Sequence, residues 1–373
     1  MASRTISVGE VAAIIEDWAP KDIAWEGDNV GLLVGGPHAP VRGIMVSLDV
    51  TPGIISEALR KKANLMISHH PLPFRPLRSF TDNSGTTESL RMLIKGEMNL
   101  YAAHTNLDFT REGTSFVLAD TLNLENLDFL QKPYMVQKKI VTFVPSEHVD
   151  RVSEAMAGAG AGRIGSYDNC SFRIEGKGTF RGGRDSHPAV GKKGNFEQVQ
   201  EVRLEMVADQ WQVAGVVEAM KKSHPYEEVA YEVYPTENKS RDYGIGVVGT
   251  LKRSISLRTF LAALKRALRV STVRCTGKLN TFVRSVAVCG GSGSDFLEEA
   301  ISRGADVFVT ADVKYHTFHQ AAGRIALVDA GHYETELPVV RALVNRLKSE
   351  LGKRRTEIPV FATKTSTNPI MYV

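Results

Sequence analysis

Two adjacent histidines, His69 and His70, directly follow the apolar run 65–67, which lies between Asn64 and Pro71. A short apolar run bounded in this way is typical of a buried strand. Successive side chains of a strand point to opposite faces, so both imidazoles reach one site only where the strand ends and turns. Pro71 favours such a turn. The alternative is ordinary packing, with one imidazole in the core and the other in solvent.

Histidines and carboxylates also follow three other predicted strands. The run 100–103 leads into one such segment, and the runs 307–310 and 325–328 lead into two more. In open α/β sheets, ligands bind beyond the carboxyl ends of the strands. Together with the first pair, these strand ends hold the candidate residues His69, His70, His104, Asp108, Asp312, His316, Asp329, His332, Glu334 and Glu336.

These residues combine imidazoles with carboxylates and include no thiolate, which suits zinc, iron, manganese or cobalt. Three imidazoles with two carboxylates exceed one tetrahedral site, so two metal ions that share a carboxylate fit better. His332 and Glu336 are four positions apart and would suit one face of a helix. Because proline is tolerated only in the first turn of a helix, Pro338 predicts another arrangement. In it, His332 precedes a helix that begins near Glu336 and is capped by Thr335.

An internal repeat organises the elements that carry these residues. Residues 44–70 align without a gap with residues 286–312, and each stretch has the pattern strand, helix, strand. Such a βαβ unit implies parallel strands, and a third predicted strand follows in each half. The sequence therefore predicts an α/β fold with two related halves in one main domain, residues 1–130 and 248–373. The alternative is that any two βαβ units look alike at this level.

A region of different pattern, residues 131–247, separates the two halves. Its predicted elements follow the order strand, helix, strand, strand, helix, strand, which is typical of a ferredoxin-like module. We therefore predict that a compact α+β module is inserted into the main domain.

The bulk properties exclude several classes of protein. The 373 residues are 43% hydrophobic and 24% charged, with a formal net charge of +4, which is ordinary for a globular protein. No dense basic stripe indicates nucleic-acid binding, and no apolar run approaches the length of a membrane helix. The three cysteines are too few and too far apart for a disulfide framework, so a cytoplasmic location is expected.

Several motifs, taken in order, resemble the NIF-three-like family, often labelled GTP cyclohydrolase 1 type 2. The matching segments are WEGDNVGL at 25–32, ISHHP at 67–71, HTNLD at 104–108, DVKYH at 312–316 and GHYETE at 331–336. The predicted insert resembles the PII/CutA-like module of longer bacterial members, through GRIGSY at 162–167 and HPYEE at 224–228.

The resemblance implies a dinuclear metal site with two divalent ions per subunit, zinc being preferred over iron or manganese. His70 and Asp108 would hold one ion. His69 and His332 would hold the other, and Glu336 would bridge both. The resemblance also implies a homohexamer whose metal sites face an internal cavity.

Two functions stay open. The first is a hydrolase in which a hydroxide bridging the metal ions attacks carbon or phosphorus while His104 or His316 moves protons. The family label points to GTP, and another nucleotide or phosphoester would suit the same chemistry. The alternative for each of these two histidines is a structural role, in which the imidazole makes a hydrogen bond in the protein core. The second function is a non-catalytic regulatory or metal-handling hexamer in which the insert senses an effector.

Overall fold

The computed structural model describes residues 5–81, 84–131, 136–239 and 242–371. The chain divides into two compact units, a larger one of Met1–Gln131 with Asp242–Val373 and a smaller one of Lys132–Arg241. The strands are β1 (Gly31–Val34), β2 (Ile44–Ser47), β3 (Leu65–Ser68), β4 (Asn99–Ala102), β5 (Glu125–Gln131), β6 (Val136–Pro145), β7 (Phe172–Arg181), β8 (Phe196–Asp209), β9 (Tyr231–Lys239), β10 (Ile245–Ser256), β11 (Arg274–Cys275), β12 (Phe282–Val288), β13 (Val307–Thr310), β14 (Ala326–Asp329) and β15 (Val360–Ala362). The helices are α1 (Val8–Glu16), α2 (Pro52–Arg60), α3 (Gly85–Lys95), α4 (Thr105–Asp108), α5 (Thr114–Thr121), α6 (Val149–Gly158), α7 (Val213–Ser223), α8 (Leu257–Leu268), α9 (Leu297–Ser302), α10 (Tyr315–Ala321), α11 (His332–Glu336) and α12 (Pro338–Lys353).

One sheet of the larger unit has the strand order β1-β4-β3-β2-β15. Strands β4, β3, β2 and β15 run parallel, and β1 is antiparallel to β4. Every residue of β2, β3 and β4 is buried, as expected for parallel strands that are covered on both faces. Because these three strands are parallel, their carboxyl ends lie at the same edge of the sheet.

The second sheet of the larger unit has the strand order β11-β14-β13-β12-β10-β5. Strands β12, β13 and β14 are parallel, and β10 pairs antiparallel with both β12 and β5. Val286 lies opposite Val307 in this sheet, as Ile44 lies opposite Leu65 in the first sheet. Each sheet therefore contains three parallel strands that end at one edge.

Helices cover both faces of the first sheet because its strands are apolar on both sides. Val46 and Ile67 pack in one core cluster with Leu343 and other apolar residues of α1 and α12. Met66 packs on the other side with residues of α2 and α3 such as Ile54. The start of α2 follows from its sequence, since the Thr51 hydroxyl accepts a hydrogen bond from the Ile54 amide and proline occupies the first turn.

The smaller unit is an antiparallel sheet with strand order β7-β8-β6-β9 and two helices, α6 and α7. Its core contains Ile140 and Leu204 from the sheet with Met156 and Met220 from the helices. Side chains alternate between the faces of a strand, so the residues next to Ile140 and Leu204 in sequence lie on the sheet face away from this core.

The prediction of a mixed α/β fold is confirmed. In the described ranges of the chain, no helix has both the length and the apolar character that crossing a bilayer requires.

Candidate metal centre

His69 and His70 are positioned by the pairing between β3 and β2, which continues beyond the end of β3. The amide of His69 donates to Ser47 O at 3.2 Å, and the amide of His70 donates to Leu48 O at 2.9 Å. The Ser68 hydroxyl then donates to the carbonyl of His70 at 2.7 Å. These bonds fix the backbone where the strand ends, so the two rings lie only 5.1 Å apart between centroids.

His104 is the residue directly before the single helical turn α4, and Asp108 is the last residue of that turn, shortly after β4. The amide of Asp108 donates to the carbonyl of His104 at 3.1 Å, which brings the two residues to the same side of the turn. The ring of His104 lies 5.3 Å from that of His69 and 5.6 Å from that of His70. The ends of β3 and β4 thus supply one cluster of donors.

His332 and Glu336 are the first and last residues of α11, which follows β14. The prediction that His332 precedes the helix and that Thr335 caps it is wrong. Pro338 instead begins the separate helix α12, at a position where no amide hydrogen is needed, and the hydroxyl of Thr335 donates to carbonyls of α11. The four-residue spacing therefore places His332 and Glu336 on one helical face.

The carboxylate of Glu336 lies between two groups of donor atoms. Its Oε2 is 3.0 Å from Nε2 of His70 and 3.1 Å from Nε2 of His332. Those two nitrogens are 3.4 Å from each other. On the other side, Oε1 of Glu336 is 3.8 Å from Nε2 of His69, which is 3.5 Å from Oδ1 of Asp108.

An oxygen atom of a neighbouring group holds the Nδ1 atom of each of four histidines at hydrogen-bond distance. The pairs are His69 with the carbonyl of Ala103 at 2.8 Å, His70 with Asp49 at 2.7 Å, His104 with Asp28 at 2.9 Å and His332 with Asp312 at 2.7 Å. A ring whose Nδ1 donates a proton leaves Nε2 as the metal-binding nitrogen. The partners at Nδ1 therefore leave the Nε2 atom of all four imidazoles available to a metal ion.

Three buried atoms at this centre make no hydrogen bond of normal geometry with the described residues: His69 Nε2, Asp108 Oδ1 and Glu336 Oε2. Buried polar atoms without partners are rare because burial costs them their hydration. Here the atoms converge from three chain segments. Two groups of side chains at this centre, His69 with His70 and His104, and His70 with His332 and Glu336, have ligand atoms close enough together to hold a metal ion. The donor set therefore fits bound divalent cations.

A glycine allows the carboxylate of Glu336 to reach this position. Gly291 has a φ of 62°, and a Cβ atom built on it would collide with Oε1 of Glu336. The amide of Gly291 also donates to the hydroxyl of Thr335, which precedes Glu336 on α11. Any larger residue here would displace the carboxylate that joins the two groups of donors.

The close carboxylates change the charge states of the imidazoles. Burial opposes charge on His70, but the nearby carboxylates of Asp49 and Glu336 outweigh burial and raise its pKa to about 10. Burial likewise opposes charge on His332, whose pKa is raised to about 9 by Glu336 and Asp312. Burial would raise the pKa of Glu336, but the nearby imidazoles lower it well below its usual range. Without metal, protons therefore occupy the centre at neutral pH.

The remaining sequence candidates take other positions. His316 is exposed on the first turn of α10, where its ring contacts that of its neighbour Tyr315. It does not belong to the cluster of histidines and carboxylates described above. Asp329 accepts hydrogen bonds from the amides of Val313 and Gly331, and thereby ties together the two segments that carry Asp312 and His332. Glu334 accepts a hydrogen bond from Asn368.

Two outer carboxylates, Asp28 and Asp49, are not among the site residues predicted above. Asp49 follows β2, which neighbours β3, so the rule that placed His70 at the sheet edge could have found it. Its second oxygen accepts a hydrogen bond from the hydroxyl of Thr367. Asp28 lies in a segment before β1, where neither strand periodicity nor spacing indicates contact with His104.

The fold and these donors define a mixed α/β protein with clustered histidines and carboxylates that could bind divalent metal ions. The family described as Duf34/NIF3 (NGG1p interacting factor 3) matches residues 6–369. The chain is 39% identical over 366 residues to the GTP cyclohydrolase 1 type 2 homolog of Halalkalibacterium halodurans, with 97% of this chain and 98% of that protein covered. It is 36% identical to the homolog of the same name from Bacillus subtilis, with both chains fully covered.

A solved structure of a Bacillus cereus protein related to NIF3 superposes with a TM-score of 0.87 at 37% identity, and all of both chains is covered. The chain therefore belongs to the DUF34/NIF3 family. The resemblance seen in its motifs is confirmed.

Proposed function

We propose that His69, His70, Asp108, His332 and Glu336 bind two divalent metal ions, with zinc preferred. The observation that carries this proposal is the set of buried Nε2 and carboxylate atoms that converge without hydrogen bonds. Glu336 would bridge the two ions, since each of its oxygens faces a different group of donors. Imidazole and carboxylate ligands together suit zinc, iron or manganese.

The distances also bear on which ligands share an ion. The shortest distances pair His69 with Asp108, at 3.5 Å, and His70 with His332, at 3.4 Å. The family resemblance implies the other pairing, in which Asp108 joins His70 and His332 joins His69. Glu336 contacts both groups in either arrangement. Diffraction data collected at the absorption edges of the bound metals would distinguish the two pairings.

Metal analysis tests the centre directly. We expect about two metal ions per chain after purification without chelators, and at most one in Glu336→Gln, because the bridging oxygen is lost. His316→Ala is the matched control, since that imidazole is exposed, and it should keep both ions. Fewer than about one ion per chain in the unmodified protein, after incubation with excess zinc, would contradict the proposal.

We further propose that the centre catalyses hydrolysis of a nucleotide or another phosphoester. Paired divalent ions lower the pKa of bound water and polarise substrate oxygens, which is the chemistry that hydrolysis requires. His104 would accept or return a proton at Nε2, while its Nδ1 donates to Asp28. Burial would raise the pKa of Asp28, but hydrogen bonds from His104 and Thr105 lower it to about 2, so Asp28 stays ionised and keeps His104 oriented.

The name of the curated relatives makes GTP the first substrate to test. Zinc-loaded protein incubated with GTP should release formate or phosphate in amounts that exceed a His70→Ala control. His104→Ala should keep its metal but lose at least about tenfold in rate, since general acid–base groups contribute that much or more. No product above the His70→Ala control with GTP or with a general phosphodiester would refute the hydrolase proposal and leave the metal centre standing.

A second candidate function is a regulatory or metal-handling protein without catalysis. This second function is favoured by the smaller unit, which is compact and has its own hydrophobic core. We propose that this unit is a ferredoxin-like module of the PII/CutA-like kind, inserted into the main metal-binding domain. Its elements β6, α6, β7, β8, α7 and β9, and its sheet order β7-β8-β6-β9, support that assignment.

Deletion of the smaller unit separates these functions. Strands β5 and β10 are paired, with Gln131 opposite Ile245, so a short turn can replace residues 132–241. A regulatory role predicts altered activity or metal content in the deletion, whereas an unchanged protein would argue against it. We also propose a homohexamer, and light scattering should then give six times the chain mass of 40.9 kDa.

A further inference from the structure

A cavity of about 660 Å³ lies within the smaller unit, remote in the sequence from the proposed metal ligands. It is bounded by β7, by part of β8 and by the segments 182–189 and 226–230. Its volume is in the range of pockets that hold small organic molecules. Neither the proposed metal centre nor the hydrolytic chemistry uses it.

The floor of this cavity is a strip of bare backbone on β7. Ile174, Gly176, Gly178 and Phe180 alternate with other residues along the strand, so they share one face. A Cβ atom on Gly176 would meet no atom within 4 Å, so open space lies above this position. The space over Gly178 is taken by the Glu201 carboxylate, but Gly176 leaves a flat, open surface between Ile174 and that carboxylate, on which a planar ring can lie.

Aromatic side chains form the walls. Phe180 and Tyr226 have ring centroids 6.5 Å apart and are tilted by 58°. Phe143 also lines the cavity, and the guanidinium of Arg203 lies 5.8 Å from its ring centroid. Rings in these positions offer edge and face contacts to a second aromatic group between them.

The polar group that faces this floor is the carboxylate of Glu201. Its Oε1 accepts a hydrogen bond from the Tyr226 hydroxyl at 2.7 Å. Its Oε2 lies over Gly178, where a Cβ atom would collide with it, so this oxygen points at the glycine strip. Arg203, a basic group of the lining, is bound to Glu205 at 2.9 Å. Arg203 is thus already paired, whereas Glu201 presents an acceptor. The basic residues Lys177 and Arg181 also line the cavity, but they belong to the alternate set of β7 side chains, on the opposite face from Gly176 and Gly178.

We propose that this cavity binds a small planar aromatic molecule that carries a cationic amidine or amine group. The ring lies on the backbone of Gly176, next to the Glu201 carboxylate that covers Gly178, and between Phe180 and Phe143. The cation donates to Oε2 of Glu201, which the Tyr226 hydroxyl holds in place. Glu227 and Glu228 also line the cavity and add to the preference for positive charge.

Binding of matched probes to the full chain tests this proposal. Benzamidine and benzoate share a ring and differ in charge, as do tryptamine and indole-3-acetate. Calorimetry or ligand-observed NMR should show that each cation binds at least about tenfold more tightly than its anionic partner, as a charged hydrogen bond predicts. Equal binding of the two members of a pair, or no binding of either at millimolar concentration, would overturn the proposal.

Variants locate the binding. Glu201→Gln should weaken the cations about tenfold and remove the difference from the anions. Glu218→Gln is the matched control, because Glu218 is an exposed carboxylate of α7 that pairs with Lys222. Gly176→Val should abolish binding of all probes by filling the floor, and circular dichroism would verify its fold. Unchanged cation binding in both Glu201→Gln and Gly176→Val would place the probes elsewhere and refute the assignment.

Discussion

Loading the metal-free protein with Zn²⁺ at about pH 7.5 should release at least about two protons per chain. Two protons come from His70 and His332, whose pKa values are raised to about 10 and about 9, and His69 adds to the release because Asp108 and Glu336 raise its pKa against the effect of burial. For His70 and His332, burial opposes the charged form, and carboxylates in contact with the ring outweigh it. Both imidazoles are therefore protonated at this pH, and an imidazole must lose the proton from Nε2 before it binds a metal ion.

The sign of the pH dependence follows. As the pH rises toward the pKa of His332 and then of His70, fewer protons compete with the metal, so apparent zinc affinity increases and proton release declines. Calorimetric titration in two buffers of different ionisation enthalpy measures the number of protons released. Asp49→Asn should reduce that number by up to about one, because the pKa of His70 falls when only Glu336 is left to favour the charged ring.

Asp150→Asn is the control, since that exposed carboxylate pairs with Arg173 in the smaller unit and touches no proposed ligand. It should leave both zinc affinity and proton release unchanged. The result that would refute the reasoning is full zinc binding with release of less than about half a proton per chain. The imidazoles would then be neutral before metal binds, and the carboxylates around them would not set their charge.

Three further predictions concern stability and the outer groups of the centre. Burial would raise the pKa of Glu57, but hydrogen bonds from Thr363, Lys61 and Lys364 lower it from 4.5 to about 2. Glu57→Gln should therefore cost about 3 kcal/mol of unfolding free energy at pH 7. Denaturant titrations should show that this cost shrinks as the pH falls from 4.5 toward 2. Asp329→Asn should weaken zinc binding about tenfold in a chelator competition, because the outer carboxylate orders two segments of the centre. Leu204→Ala should lower the melting temperature of the smaller unit, at a cost of about 3 kcal/mol, while the metal content stays constant.

The convergence of the histidines and carboxylates can be predicted from the sequence because it depends on a geometric rule about where parallel strands end. His69, His70 and Asp108 follow parallel strands, and parallel strands end at one edge, so their convergence needs no knowledge of side-chain packing. The same rule placed His316 near the centre, but α10 begins at Tyr315 and leaves that imidazole exposed. Proximity in sequence to a strand end does not determine which way the next helix turns its side chains.

The outer partners of the histidines are harder to predict from sequence. A backbone carbonyl such as that of Ala103 carries no sequence signal, although it orients His69. Asp28 reaches His104 across 76 positions, and Thr367 reaches Asp49 across 318 positions. These pairings depend on how distant segments pack. The misplaced start of α11 has a similar cause, because Pro338 can begin a new helix as readily as it can end an old one.

The distance along the chain between the two groups of donors affects how the protein is made. His70 and His332 lie 262 positions apart, and the whole smaller unit is encoded between them. At elongation rates of about 5–20 residues per second, the first group of donors leaves the ribosome tens of seconds before the second. During that interval the smaller unit can fold, but the bridging carboxylate of Glu336 does not yet exist. A nascent chain therefore could not capture the proposed metal pair, and loading would follow the synthesis of α11.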